Sequence, residues 1–170
     1  MRFCALLCAA VAALWTTSAS AQMRITRDVG GIIDNYVERY VALRGTGERV
    51  MIDGLCLSAC TLVVGLLPPD RVCATKKAML GFHAAWSPTA AGGRILVPSQ
   101  TKRMLKIYPA ALRGWIAKNG GLKSQMIFLR GRQLNSVVRA CKEEEVTASL
   151  SPELERKPVV APIPSARAGQ

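Results

Sequence analysis

Between residues 23 and 83 two kinds of apolar segment alternate, and that alternation limits what the chain can fold into. Runs at 23–26, 49–53, 71–75 and 78–83 have strand length and end at turn residues. Between the first two, Ile32, Ile33, Tyr36, Val37, Tyr40 and Val41 recur at helical spacing, with Asp34, Glu38 and Arg39 on the opposite face. Gly45-Thr46-Gly47 stops that helix. After the second run, 54–57 predicts a turn and 58–67 an apolar helix, opened by Ser58 and closed by Pro68-Pro69. Strands joined by helical crossovers lie parallel, so the order predicts an α/β fold with a small, mainly parallel sheet and flanking helices.

Downstream, 87–93 is rich in Pro, Ala and Gly and predicts a loop. A helix is expected over 98–118, kinked or split by Pro109, and shorter helices over 122–129 and 134–141. Beyond Lys142 the character changes. Glu143-Glu144-Glu145 gives way to Pro152, Pro158, Pro162 and Pro164 among Ala and Ser, which predicts a disordered tail over 146–170.

The beginning of the chain reads as a cleaved signal peptide over 1–21. Arg2 supplies the positive charge, 5–15 is apolar and uncharged, and Ala19-x-Ala21 suits cleavage before Gln22. The apolar run is too short to span a bilayer, which takes about 20 residues. The protein is therefore expected to be exported, periplasmic or secreted, with an α/β domain over 22–145.

Export removes Cys4 and Cys8 and leaves Cys56, Cys60, Cys73 and Cys141, an even set in an oxidising compartment. Structural disulfides are expected, with three pairings open. A redox or metal role for Cys56 and Cys60 is the alternative, but redox pairs usually have a two-residue gap. One histidine excludes a metal site built from imidazoles, and no metal or cofactor is expected. The balance of 23 Lys and Arg against 11 Asp and Glu makes the chain basic. Its cations are dispersed without the interleaved aromatics of a single-strand binder, so nucleic acid is not expected as a partner.

Three features bear on chemistry. Gly30-Gly31, between a strand and a helix, lets backbone N–H groups face an anion or an oxyanion. Ser58 opens a helix, as an N-cap or as a nucleophile at the positive end of the dipole. His83 ends an apolar strand at the carboxyl edge, where α/β sites form.

In this order, Asp28-Val29-Gly30-Gly31, a helix, a strand, Ser58 and a strand ending in His83 resemble the ClpP/crotonase superfamily. More narrowly, the chain resembles exported ClpP-like bacterial proteins with a Cys-x-Ser-Ala-Cys signature, here Cys56-Leu57-Ser58-Ala59-Cys60. His83 follows Ser58 by 25 positions (83 − 58), the nucleophile-to-base separation of Clp-protease proteolytic subunits. The resemblance spans about residues 25–134. It implies a truncated ClpP/crotonase-like fold and a peptidase-like serine hydrolase, with Ser58 as nucleophile and His83 as base. The oxyanion donors it implies are backbone N–H groups at Gly30, Gly31 and Ala59.

Clp-type peptidases complete the triad with an acid well downstream of the histidine. No Asp or Glu lies between Asp70 and Glu143, which leaves Asn135 as the polar substitute. An amide orients an imidazole without stabilising its cation as a carboxylate does. The alternatives for that third place are Asp28 or Asp53, approaching from the sheet edge. The reading from another class is a catalytically inactive ClpP-like scaffold that binds peptide or a partner protein. No ATPase partner is expected outside the cytosol.

Overall fold

The fold is organised around β2 (Arg49–Leu57), whose Val50, Met51, Ile52 and Cys56 are fully buried. The computed structural model describes residues 22–150; the expected leader over 1–21 and residues 151–170 of the expected tail lie outside the described residues. Along one edge of β2 runs β1 (Gln22–Asp28), parallel from Gln22↔Arg49 to Asp28↔Cys56, with a register shift between Ile25 and Arg27. With that edge taken, β3 (Val72–Ala74) and β4 (Met79–Phe82) share the other. β3 pairs with 50–52 and β4 with 55–57, both parallel. The last strand, β7 (Ile127–Arg130), runs antiparallel to β4. The sheet is thus mixed and mainly parallel, and it is flanked by helices, as the element order predicts.

Helix α1 (Ile33–Thr46) makes the crossover from β1 to β2 and ends at Gly47 in the left-handed conformation. A 3-10 turn (Ser58–Leu62) and the short α2 (Val63–Leu66) lead from β2 toward β3. Pro109 splits the next helix, as expected, into α3 (Pro98–Ile107) and α4 (Ala110–Lys118). The joint packs on β4, with the Phe82 and Tyr108 rings edge to face at 5.6 Å. Both disulfides are intramolecular, Cys56–Cys60 and Cys73–Cys141.

Several elements differ from expectation. β2 continues through Gly54 to Leu57 instead of turning there. Gly54 is in the strand because β1 approaches it closely; a Cβ would stand 2.0 Å from the Thr26 carbonyl oxygen. The expected loop over 87–93 holds over 89–93, but residues 87 and 88 belong to a strand, and the loop joins a hairpin of β5 (Trp86–Pro88) and β6 (Arg94–Leu96). Residues 122–129, expected to be helical, are a turn followed by β7, whose Leu129 is buried between exposed Phe128 and Arg130. That alternation is an edge strand's, masked in sequence by apolar residues that also suit a helix. A short α5 (Gly131–Asn135) replaces the helix expected over 134–141, which ends instead in a parallel bridge from Ala140 to Ala74.

Residues 146–150, assigned by sequence to the tail, belong to α6 (Glu143–Leu150). Its three leading glutamates complement the helix dipole. Glu145 also accepts a hydrogen bond from the Lys142 backbone N–H at 2.8 Å, as in half of a capping box.

Candidate functional site

The carboxyl ends of β1, β2 and β4 surround a cavity of about 440 Å³. Gly30, Gly31, Ser58 and His83 all line it, so the structure brings together four residues singled out from sequence. Exposed Val29, Ile32 and Trp86 edge it with apolar surface. From α3, Met104 and Gln100 complete the wall, and Gln100 Oε1 is buried without a hydrogen-bond partner among the described residues.

Ser58 stands where β2 ends. Its φ of 55° is the only positive φ of a non-glycine among the described residues. A left-handed serine costs about 1–2 kcal/mol, so neighbouring contacts must hold it. The Cys56–Cys60 disulfide brackets the turn. The buried Tyr40 hydroxyl donates to the Cys60 carbonyl at 3.1 Å. Thr61, fully buried, donates its hydroxyl to the Ser58 carbonyl at 2.6 Å. Thr61 has one hydroxyl proton, so the Tyr108 hydroxyl, 2.6 Å away, is the donor to Thr61 Oγ1. Burial pushes the Tyr108 phenol above its ordinary range and keeps it a donor.

Gly30 lies directly against this turn with φ 81°; a Cβ there would be 2.5 Å from the Leu57 carbonyl oxygen and 2.6 Å from Ser58 Cβ. Its own N–H donates to Asp28 Oδ1 at 2.8 Å, and the Tyr36 hydroxyl donates to the same oxygen at 2.5 Å. Burial, then the hydrogen bond to Asp28, pushes the Tyr36 phenol up to about 12. The Gly30 N–H is thus engaged; of the other two expected donors, Gly31 lines the cavity, whereas Ala59 is fully buried and does not line it. Ala59 is at the start of a 3-10 turn, where N–H groups have no acceptor within the turn.

His83 follows β4 and is half-buried. Its Nδ1 is 2.7 Å from the Ala84 carbonyl oxygen. A carbonyl only accepts, so Nδ1 carries a proton, and in the neutral ring Nε2 then carries the lone pair, which is the tautomer a general base needs. The carboxylates near the sheet edge are engaged elsewhere. Asp53 is held by Arg24 and, at 2.7 Å, by the Thr75 hydroxyl, and Asp28 pins the glycine turn.

Asn135 is not brought to this place. β7 is antiparallel to β4, pairing Ile127 with Phe82 and Arg130 with Met79. α5 therefore starts beside the amino end of β4, while His83 follows its carboxyl end. Exposed Asn135 lies at the wrong edge of the sheet, and the Ala84 carbonyl takes the orienting position. The one cluster of possible metal donors among the described residues, Cys73, Cys141 and Glu145, lies by α6, with both sulfurs in a disulfide.

Sequence reasoning missed Thr61, Tyr108 and Gln100 as parts of this site, and it weighed Asp28 as a partner for His83 and not as the anchor of the glycine turn. Thr61 followed from nothing but its place three residues after Ser58. The others reach the site only through tertiary packing.

No family model matches the sequence, and no curated protein matches it. Among solved structures, one described only as "an Enzyme" shares 8% identity at a TM-score of 0.48, over 74% of this chain and 81% of that one. A peptidase from Plasmodium falciparum shares 7% identity at a TM-score of 0.47, over 74% of this chain and 80% of that one. At these scores neither likeness carries an implication for chemistry. No helix among the described residues is long and apolar enough to cross a membrane.

Proposed function

We propose that the protein is an exported, peptidase-like serine hydrolase with a truncated ClpP/crotonase-like fold, working through Ser58 and His83. The observation that carries this reading is one cavity lined by a left-handed serine, the sole histidine and the Gly30-Gly31 turn. In this scheme Ser58 Oγ attacks the substrate carbonyl carbon and His83 Nε2 takes the hydroxyl proton. The Gly31 N–H, which lines the cavity, receives the developing oxyanion. The imidazolium then protonates the leaving group, and water, deprotonated by His83, releases the acyl group from Ser58. The Ala84 carbonyl holds the tautomer but brings no full negative charge to the imidazolium, so turnover is expected to be slow beside a carboxylate triad.

The domain plan is part of the proposal: a leader over 1–21, an α/β domain from residue 22 and a tail beyond α6. Two disulfides suit an oxidising compartment. The uncharged orienter of His83 favours a second reading, a catalytically inactive scaffold that binds peptide or a partner protein in the same cavity. The test is labelling of the oxidised, exported protein with a fluorophosphonate. Labelling lost in Ser58→Ala supports the hydrolase. No labelling of the wild type leaves the scaffold.

A further inference from the structure

We infer that the face of the sheet turned away from the helices docks an acidic segment of a partner protein, one with apolar residues between its carboxylates. Helices α1, α3 and α4 pack on one side only. Their Tyr40, Met104 and Leu112 join Cys56, Leu80 and Leu129 of the sheet in one cluster. The alternate strand residues point to the opposite face, and strand register sets them in rows. Arg27, Leu55, Met79 and Arg130 are partners across β1, β2, β4 and β7. Leu57, Gly81 and Phe128 form the next row. A Cβ on Gly81 would strike the Leu57 and Met126 side chains, so both lie over it on this face.

Toward the amino ends of the strands the face is closed. Met51 and Cys73 are paired in register and buried there, and Cys73 is bonded to Cys141. Toward the carboxyl ends it is open. Leu55, Leu57 and Met79 are only half-buried, and Phe128 is 50% exposed. An exposed apolar patch with a polar rim is the form of an interaction site. The rim here is two exposed arginines at opposite edges of the sheet, and neither Arg27 nor Arg130 has an ion pair among the described residues. Three strand spacings separate them, about 14 Å. Their charges select the occupant. A second copy, docked face to face, would bring four unpaired arginines to one interface. Residues 151–170 hold two carboxylates against three cations and do not complement the rim. Binding to a bilayer needs apolar side chains to enter it by about 5–10 Å, and of the apolar residues in these rows only Phe128 is exposed. A partner segment with carboxylates about 14 Å apart and aliphatic residues between them satisfies both the arginines and the apolar strip.

The test uses the full oxidised protein and a fluorescent peptide, acetylated and amidated, in which paired glutamates flank a leucine- and valine-rich segment. Its anisotropy should report saturable binding. Arg27→Glu and Arg130→Glu should each weaken that binding by about tenfold or more, the usual loss for one charge-assisted contact. Phe128→Thr, which keeps a strand former at an exposed position, should weaken it as well. Lys118→Glu makes the same charge change on α4 and should leave binding within about twofold at physiological salt. Amide resonances of Leu55, Met79 and Phe128 should shift on titration. No binding, binding that both arginine variants keep, or shifts confined to other residues each overturns the inference. Phosphatidylglycerol vesicles bound in place of the peptide overturn it in favour of a membrane. A dimer that Phe128→Thr dissolves overturns it in favour of a second copy. Contacts from Phe128 to residues beyond Leu150 in the free protein overturn it in favour of the chain's own tail. If Phe128→Thr does not fold, the two exposed arginines decide. Ser58 and His83 take no part, so the outcome is independent of fluorophosphonate labelling.

Discussion

Gly30 and Gly47 have almost the same backbone conformation, φ +81° and +79°, in opposite surroundings. Alanine at Gly47 meets nothing within 4 Å. It therefore pays only for a left-handed backbone, about 1–2 kcal/mol, partly offset by a stiffer unfolded chain. A net loss of about 1 kcal/mol is expected. Alanine at Gly30 carries the same backbone cost and also drives its Cβ to 2.5 Å from the Leu57 carbonyl oxygen and 2.6 Å from Ser58 Cβ. Neither obstacle is the loose end of a flexible side chain, so the turn must move. Overpacking of this kind typically costs about 1–3 kcal/mol more. At roughly 4 °C per kcal/mol for a chain of this size, Gly30→Ala should melt about 4–12 °C below Gly47→Ala. Thermal unfolding of the oxidised proteins by circular dichroism measures the gap. Fluorophosphonate labelling should be lost in Gly30→Ala and kept in Gly47→Ala. Coincident melting curves would refute the claim that the glycine turn and the Ser58 turn are in contact.

His83→Ala should abolish labelling of Ser58 while leaving the melting curve nearly in place, since the half-buried imidazole makes one hydrogen bond, to its neighbour's carbonyl; retained labelling would remove it as the base. The two disulfides should differ in worth. By loop length, replacing Cys73 and Cys141, 68 residues apart, with serine should cost about 4 kcal/mol, against about 2 for Cys56 and Cys60, which are 4 apart; denaturant titration ranks them, and equal losses would contradict the loop-entropy account. Glu145 is held down to about 2 from 4.5, first by its hydrogen bond to Arg139, then by the Lys142 N–H and the Arg139 and Arg49 charges. A depressed carboxylate stabilises the fold above its unfolded pKa, so this contribution is complete above about pH 4.5 and is lost as the pH falls toward 2. Glu145→Gln should flatten that part of the stability–pH curve, and an unchanged curve would show that the cluster contributes nothing.

The central alternation was legible because buried β2 and the amphipathic α1 differ in period. Ile32 to Val41 cannot be mistaken for a strand, nor Val50 to Ile52 for a surface helix. Gly54 misled because a glycine in a strand interior and one in a turn look alike in sequence; only the approach of Thr26 distinguishes them. At 122–129 the clustered apolar residues satisfy a helix as well as an edge strand, and pairing with β4 decided between them. Ser58, His83 and Gly31, which line one cavity, stand out in sequence because each sits where one element hands over to the next. Asn135 was misplaced for the same reason that β7 was: as a helix, 122–129 carried no information about the end of β4 at which the chain would emerge. The hydroxyl relay through Thr61 and Tyr108 joins residues 47 positions apart, and no local pattern announces it.

The Cys73–Cys141 bond closes a covalent ring, and the exposed β5–β6 hairpin is part of it. A protease that nicks the chain after Arg94 therefore opens the ring without releasing anything. The product is heavier by one water and remains a single molecule until reductant separates it. Ser58 and His83 stay on one fragment, Tyr108 goes with the other, and the disulfide keeps the phenol tethered to the fragment that holds Thr61. Damage to the hairpin in an oxidising compartment would pass unseen on a non-reducing gel and appear as two bands on a reducing one.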